Sequence, residues 1–399
     1  MASTLNASTA AGGGLISTAD ASGILQLQTA GTTAVTVDAS QNVSTVNTIN
    51  VPNTFGFKNR IINGAMMIDQ RNAGASVTLD GVESFPVDRF PCGDVTSGAF
   101  TAQRVSDGPT GFINSIKCTI TSAAGSFSAT DSAYCKHSIE GLNIADLAWG
   151  TLNAAPITLS FWVKSSLTGT FGGALRNNDA TRSYPYSYTI NAANTWEQKV
   201  ITIAGDTTGT WLTTNGVGIN IQFSLGAGSS RTGTAGAWNS NNNVGATGQV
   251  QVISTLGATW QITGVQLEKG STATSFDYRP YGTELALCRR YLPAKSSQGG
   301  TNAPIGIAVA PNSTGLYLQW TFDVPARVAP TGVVVSSASH FTANAYGTGG
   351  GVASAVNFSS ASNTDAAIQF VTTGLTAGQS GNIIANNASA NIYLTGCEL

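Results

Sequence analysis

Few residues of this 399-residue chain are of the types that carry covalent chemistry. It has two histidines, His137 and His340, and no Gly-x-Ser-x-Gly elbow. A nucleophilic serine needs an imidazole held between its hydroxyl and a carboxylate, and no spacing here suggests that arrangement. There is no His-Glu-x-x-His, no Gly-Lys-Thr/Ser phosphate loop and no dinucleotide fingerprint after a strand. Glycoside cleavage needs two carboxylates roughly 5–9.5 Å apart. Asp80, Glu83, Asp88, Asp94, Asp107, Asp131 and Glu140 are available, but their spacing selects no pair. The chain is therefore expected not to be an enzyme and to carry no cofactor or metal. Its five cysteines, Cys92, Cys118, Cys135, Cys288 and Cys397, lack Cys-x-x-Cys spacing. They are read as buried thiols, the odd count leaving room for an interchain bond.

Non-covalent recognition has more material. A saccharide is held by an exposed aromatic face with amides or acids beside it. Trp238 lies between two Gly/Asn/Ser-rich stretches, 226–236 and 239–248, with Asn239, Asn241, Asn242 and Asn243 near in sequence. Tyr184 and Tyr186 flank Pro185, close to Asn178 and Arg182, and His340, Phe341 and Tyr346 fall in a second loop region. Trp238, Tyr184, Tyr186, His340 and Tyr346 are the candidate glycan or receptor contacts. The competing reading is that these rings cover core edges or subunit interfaces. The other six tryptophans are expected to pack. A calcium site is conceivable, but no ligand loop is legible.

The elements that must position these residues are strands. Charged residues are 10% of the chain, against about 25% in an average globular protein. Hydrophobic residues are 42%, enough for a core, and Gly numbers 46. A chain rich in Thr, Val, Ile, Ser, Asn and Gly favours pleated strands and tight turns. The formal net charge is −2 with no basic block, which excludes electrostatic nucleic-acid binding. No apolar run is long enough for a transmembrane helix, and residues 1–6 lack the basic and apolar regions of an export signal.

Three regions follow. Residues 1–57 contain short alternating segments at 23–31, 34–38 and 42–46, with the Ser3-to-Gly14 stretch flexible or ordered by a partner. Residues 58–282 contain many short strands, among them 116–120, 157–164, 217–223 and 260–268, and read as a jelly-roll β-sandwich. One helix is expected from Ile139 to Trp149. A short helix or strand in 283–295 leads into a smaller C-terminal β-sandwich, the whole of 283–399 forming a tip domain.

Three segments resemble tail-fibre proteins of tailed bacteriophages. Asn59-Arg60-Ile61-Ile62-Asn63-Gly64, continuing to Asn72, resembles the opening of their carbohydrate-module-like jelly roll. Val265-Gln266-Leu267-Glu268, followed by Phe276-Asp277-Tyr278-Arg279-Pro280-Tyr281, looks like its end. Glu284 to Tyr291 and Phe322 to Thr331 resemble the start of the C-terminal domain in the same group. The resemblance implies a homotrimer attached to another virion protein by its N-terminus, made in the host cytoplasm and probing host cell-surface polysaccharide. Similar modules decorate heads and necks without a receptor role, and some phage spikes are depolymerases. The residues themselves suggest two local expectations. Asp277 and Arg279 share one face of a final strand, with Phe276 and Tyr278 on opposite faces, and Arg60, Asp69 and Arg71 form a polar clasp at the domain entry.

Overall fold

A computed structural model describes residues 3–7, 15–18, 22–40, 43–45, 57–347 and 349–399. It divides into two compact units, Met1–Gly56 and Phe57–Leu399. The first unit contains a five-stranded sheet. Its hairpin of Leu25–Thr29 and Thr32–Val37 turns at Ala30 and Gly31, both with positive φ (51° and 75°), the geometry that matches strand twist. The expected strands are present, the last as Val43–Thr45. Ser3–Ala7, expected to be flexible or partner-ordered, is instead a strand pairing in parallel with Leu25–Thr29. Residues 8–14, the rest of that stretch, lie outside the described residues.

The second unit holds the jelly roll and the C-terminal sandwich together. One jelly-roll sheet is built from β1 (Glu83–Val87), β2 (Phe90–Asp94), β3 (Ser132–Glu140), β4 (Gly169–Arg176), β5 (Ser183–Ile190) and β6 (Val217–Ala227), in the order β5-β4-β6-β3-β2-β1. The opposing six-stranded sheet has its centre in Ile157–Ser165, Thr259–Lys269 and Ser115–Ser122. Alternate residues meet between the sheets. Phe161 lies 5.1 Å from Tyr188 and 5.2 Å from Phe223, and Trp260 donates its N–H to the Tyr188 hydroxyl at 3.2 Å. These rings are buried, and at about 25 cal/mol per Å² their burial is a main source of the sandwich's stability.

The segments carrying the family resemblance meet in space. Asn59 accepts the N–H groups of Ile61 and Leu267 and donates to the Val265 carbonyl. Asp277 accepts the N–H groups of Lys58 and Asn59. The opening and closing segments of the jelly roll thus clasp one another. Residues 276–280 are not a strand, and Phe276 and Tyr278 do not face opposite ways: their rings touch at 4.8 Å and both pack on Phe112. The side chains of Asp277 and Arg279 bond the backbone of the entry segment, and the Asp277 N–H donates to the Gln266 side chain, not to a sheet ladder. Arg60, Asp69 and Arg71 do not form one clasp. Arg60 pairs with Asp146 and Arg71 with Glu398, while Asp69 caps a turn through the N–H groups of Asn72 and Gly74.

The helix expected at 139–149 is not formed. Strand β3 runs to Glu140, and two single-turn 3₁₀ segments follow. The N–H groups of Gly141 and Leu142 bond the carbonyls of Gly216 and Thr214, so pairing with distant backbone overrides local periodicity. The one α-helix among the described residues, α1 (Tyr281–Arg289), leads into the C-terminal sandwich. There β7 (Ala294–Ser296), β8 (Gly332–Val335) and β9 (Asn391–Thr395) form a three-stranded sheet against one of seven strands. Ions join the two sandwiches: Arg290 grips Glu140 at 2.6 and 2.9 Å, and Glu140 also accepts the Tyr291 hydroxyl at 2.6 Å. Among the described residues no helix is long and apolar enough to cross a membrane.

The cysteines depart from expectation. Cys92 and Cys135 face each other across β2 and β3 and are joined as a disulfide, because both side chains point into the core from directly opposed positions. Cys118, Cys288 and Cys397 are buried thiols.

Candidate functional site

The structure gathers only some of the residues proposed from sequence, and mostly for packing. Trp238 is half-buried, its ring 5.1 Å from Tyr184, 5.3 Å from Trp149 and 5.4 Å from Trp211. Its N–H donates to the Ala204 carbonyl. Trp238 and Tyr184 are therefore members of one edge-to-face cluster closing the sandwich. Tyr186 is corrected outright as a ligand contact: it is 1% exposed, its hydroxyl donating to the Gln222 carbonyl. Its parity on β5 turns it inward with Tyr188. His340 shares a 2.9 Å hydrogen bond with Ser336, and Tyr346 is exposed; the structure gives neither a partner ring.

Three of the seven carboxylates considered for catalysis are engaged by neighbouring side chains. Glu140 is bound by Arg290 and Tyr291, Asp107 by Lys164, and Asp88 by Gln70. Among the described residues, the one group of three or more possible metal-ligating side chains is Cys92, Cys118 and Cys135, of which two form the disulfide.

A different constellation emerges on the outer face of the β1–β6 sheet. Alternation sends Cys135 and His137 of β3, and Ile221 and Phe223 of β6, into the core. Tyr134, Lys136 and Ser138 then face outward opposite Ser224, Gln222 and Asn220. Arg176 on β4 lies opposite Asn220, and Gly93 on β2 opposite Tyr134. A Cβ on Gly93 would stand 2.9 Å from both Cζ and Oη of Tyr134. The tyrosine ring thus lies flat across β2 at a position without a side chain, one face on backbone and the other turned outward.

Polar groups surround this ring. Its hydroxyl donates to Glu83 at 3.0 Å, and Lys136 pairs with the same carboxylate at 2.6 Å. Burial, with Glu83 beside it, pushes the Tyr134 hydroxyl well above its ordinary value, so it stays protonated at neutral pH. Burial pulls the Arg176 guanidinium down to about 10, which still leaves it cationic, and it donates to Asn242. Arg176 Nε, Asn220 Oδ1 and Gln222 Oε1 are buried polar atoms with no hydrogen-bond partner among the described residues. The loop after β6 lies over part of this face, tied down by Gln249 to Ser224 at 2.6 Å and Asn243 to Ser183 at 3.0 Å, and buries Gln222 and Ser224. A flat aromatic ring can stack on the apolar C–H face of a pyranose, while acid, ammonium, guanidinium and amides exchange hydrogen bonds with its hydroxyls. Sequence reasoning missed Tyr134 because it sits mid-strand, not in a loop. Its alternation with Cys135 was the available signal.

No protein family and no curated protein matches the sequence. Among solved structures, the enzymatically active domain of tailspike protein 4 of bacteriophage CBA120 aligns at 12% identity and a TM-score of 0.29, over 61% of this chain and 25% of that one. A family 4 carbohydrate-binding module aligns at 13% identity and a TM-score of 0.27, over 53% of this chain and 99% of the module. The family 11 module from Clostridium thermocellum, in complex with a mixed-linked tetrasaccharide, aligns at 12% and 0.25, over 51% of this chain and 99% of the module. The chain spans a quarter of the tailspike domain's length. Likenesses at these scores decide nothing about this chain's ligand.

Proposed function

We propose that this chain is a non-catalytic, glycan-binding structural protein of a tailed-phage appendage. In this reading it assembles as a homotrimer, docks on another virion protein through its N-terminal region and holds host-surface polysaccharide on the outer face of the β1–β6 sheet. The observation that supports binding most directly is the Tyr134 ring laid flat over Gly93, with Glu83 at its hydroxyl and the Lys136 ammonium over the ring, 5.7 Å from its centroid. The virion role rests on the sequence segments around Asn59, Val265 and Glu284 and on the low-charge, β-rich composition. The absence of a catalytic role rests on the structural engagement of Glu140, Asp107 and Asp88.

The test is binding of purified full-length protein to host cells, together with competition against phage adsorption. Binding with competition supports the receptor role. Binding without competition assigns the protein to head or neck decoration. Reducing sugar released from host polysaccharide would overturn the non-catalytic reading, and a monomer mass by light scattering would overturn the trimer.

A further inference from the structure

A second recognition site lies between the two sandwiches, away from Tyr134. It is a cleft of about 710 Å³, inside the ~300–1,000 Å³ range of small-molecule sites. Three elements build it. The entry turn contributes Asp69, Gln70 and Arg71; strand Ala99–Val105 contributes Arg104. Helix α1 presents Tyr281, Leu285 and Arg289, spaced so that they share one face. The opposite wall is the three-stranded sheet, with Ser296 of β7 opposite Asn391 of β9 and Val334 of β8 opposite Tyr393. The wall is anchored to the entry turn by Asn391, which donates to the Gln70 carbonyl at 2.6 Å.

Guanidinium groups line the cleft, and two of the three are already paired. Arg71, Arg104 and Arg289 line it against the single carboxylate of Asp69. Asp69 is already occupied, its two oxygens accepting the N–H groups of Asn72 at 2.9 Å and Gly74 at 2.6 Å. Lys295 adds no charge to the cleft, because its ammonium turns away to the Ile305 carbonyl and the Trp320 ring. Arg71 is paired with Glu398 at 2.8 Å and, through Nη1, with Asp88 at 3.7 Å, and Arg289 is paired with Asp323. Arg104 donates to the Met67 carbonyl and pairs with no carboxylate among the described residues. Three buried polar atoms of the lining have no hydrogen-bond partner among the described residues: Arg71 Nη1 and Arg289 Nε, both donors, and Asn391 Oδ1, an acceptor.

We propose that this cleft binds a saccharide bearing a carboxylate. Guanidinium groups match a carboxylate in plane and hydrogen-bond geometry, and Arg104 is the one free to take it. The remaining donors and acceptor, with Ser296, Ser336 and Gln298 around them, suit the hydroxyls of the same sugar. Tyr393 supplies an apolar flank. The site thus reads the charge of a ligand, whereas the Tyr134 platform reads its shape. The two sites are independent, and either can fail alone.

The test is calorimetric titration of the full-length protein with trigalacturonate, with 3′-sialyllactose and with neutral maltotriose. At least one acidic sugar is expected to bind, more weakly as salt is raised, and maltotriose not to bind at this cleft. Arg104→Gln is expected to weaken acidic-sugar binding about tenfold. Gln298→Glu, at an exposed residue of the rim, adds a repelling charge without touching the core and is expected to weaken it as well. The weakening by Arg104→Gln and by Gln298→Glu is expected to persist when Tyr134 is already alanine. Absence of binding by both acidic sugars at millimolar concentration overturns the proposal. So does binding that Arg104→Gln and Gln298→Glu both leave intact.

Discussion

Replacing Gly93 by alanine tests the Tyr134 platform at its foundation. The new Cβ would lie 2.9 Å from Cζ and Oη of the ring and 3.2 Å from Cε2. Carbon contacts are optimal near ~3.5–4.0 Å, so the ring must lift by roughly 0.5–1 Å. Holding it in place costs about 1–3 kcal/mol of overpacking. Lifting it instead gives up the Glu83 hydrogen bond, worth about 1 kcal/mol net. Gly93→Ala is therefore expected to destabilise by about 1–2 kcal/mol when Tyr134 is present. When Tyr134 is already alanine the clash is gone. The φ of Gly93 is not positive, so the same change is then neutral or stabilising by about 0.5 kcal/mol. Urea-midpoint shifts of wild type, both single variants and the double variant give a coupling of about 1–2.5 kcal/mol. The displaced ring also weakens glycan binding about tenfold, equivalent to ~1.4 kcal/mol. Equal effects of Gly93→Ala in both backgrounds, within about 0.5 kcal/mol, would refute the flat-ring geometry.

Further outcomes follow from other parts of the fold. Burial, only partly offset by Arg71 and Gln70, pushes Asp88 up to about 6 in the folded state, against about 3.9 unfolded. The native state therefore holds the proton more tightly, and stability is expected to fall by about 3 kcal/mol as pH rises from 4 to beyond 6; Asp88→Asn flattens this part of the pH–stability curve. Asp206 runs the other way. Burial raises it, but the two 2.7 Å bonds from Arg182, with help from Thr208, hold it below its ordinary value. Its contribution is present above the unfolded pKa and lost as pH falls through the folded one, so Arg182→Ala is expected to cost about 2–4 kcal/mol at pH 7 and less below pH 4. Trp238→Ala should lower the melting temperature by several degrees, through loss of about 2–3 kcal/mol of packing, while glycan affinity measured alongside stays within twofold. Mass spectrometry after alkylation in denaturant should find Cys118, Cys288 and Cys397 modified without reductant, and Cys92 and Cys135 modified after reduction. Burial raises the Cys118 and Cys288 thiols far above their ordinary range, so neither reacts in the native protein.

The strand-rich plan was legible because alternation is a local signal. Ile157–Ser165 and Thr259–Lys269 carry it openly, and both became central strands. What was not legible depends on contacts between distant residues. The 139–149 stretch has apolar spacing suited to a helix, yet Gly141 and Leu142 pair with the backbone near Gly216, and Glu140 is drawn to Arg290. The loop aromatics Trp238 and Tyr184 looked available because Gly and Asn surround them, but the sandwich needed rings to close its end. Tyr134 looked like an ordinary strand residue. Its role follows from Gly93 lying directly opposite on the neighbouring strand, a register that the sequence of either strand alone does not disclose.

The most direct test of the central claim compares wild type with Tyr134→Ala for binding to isolated host-surface polysaccharide, each shown by circular dichroism and melting to be folded. The expected result is saturable binding by wild type, at least tenfold weaker in Tyr134→Ala, with no reducing sugar released by either. Undiminished binding by a folded Tyr134→Ala protein would contradict the account.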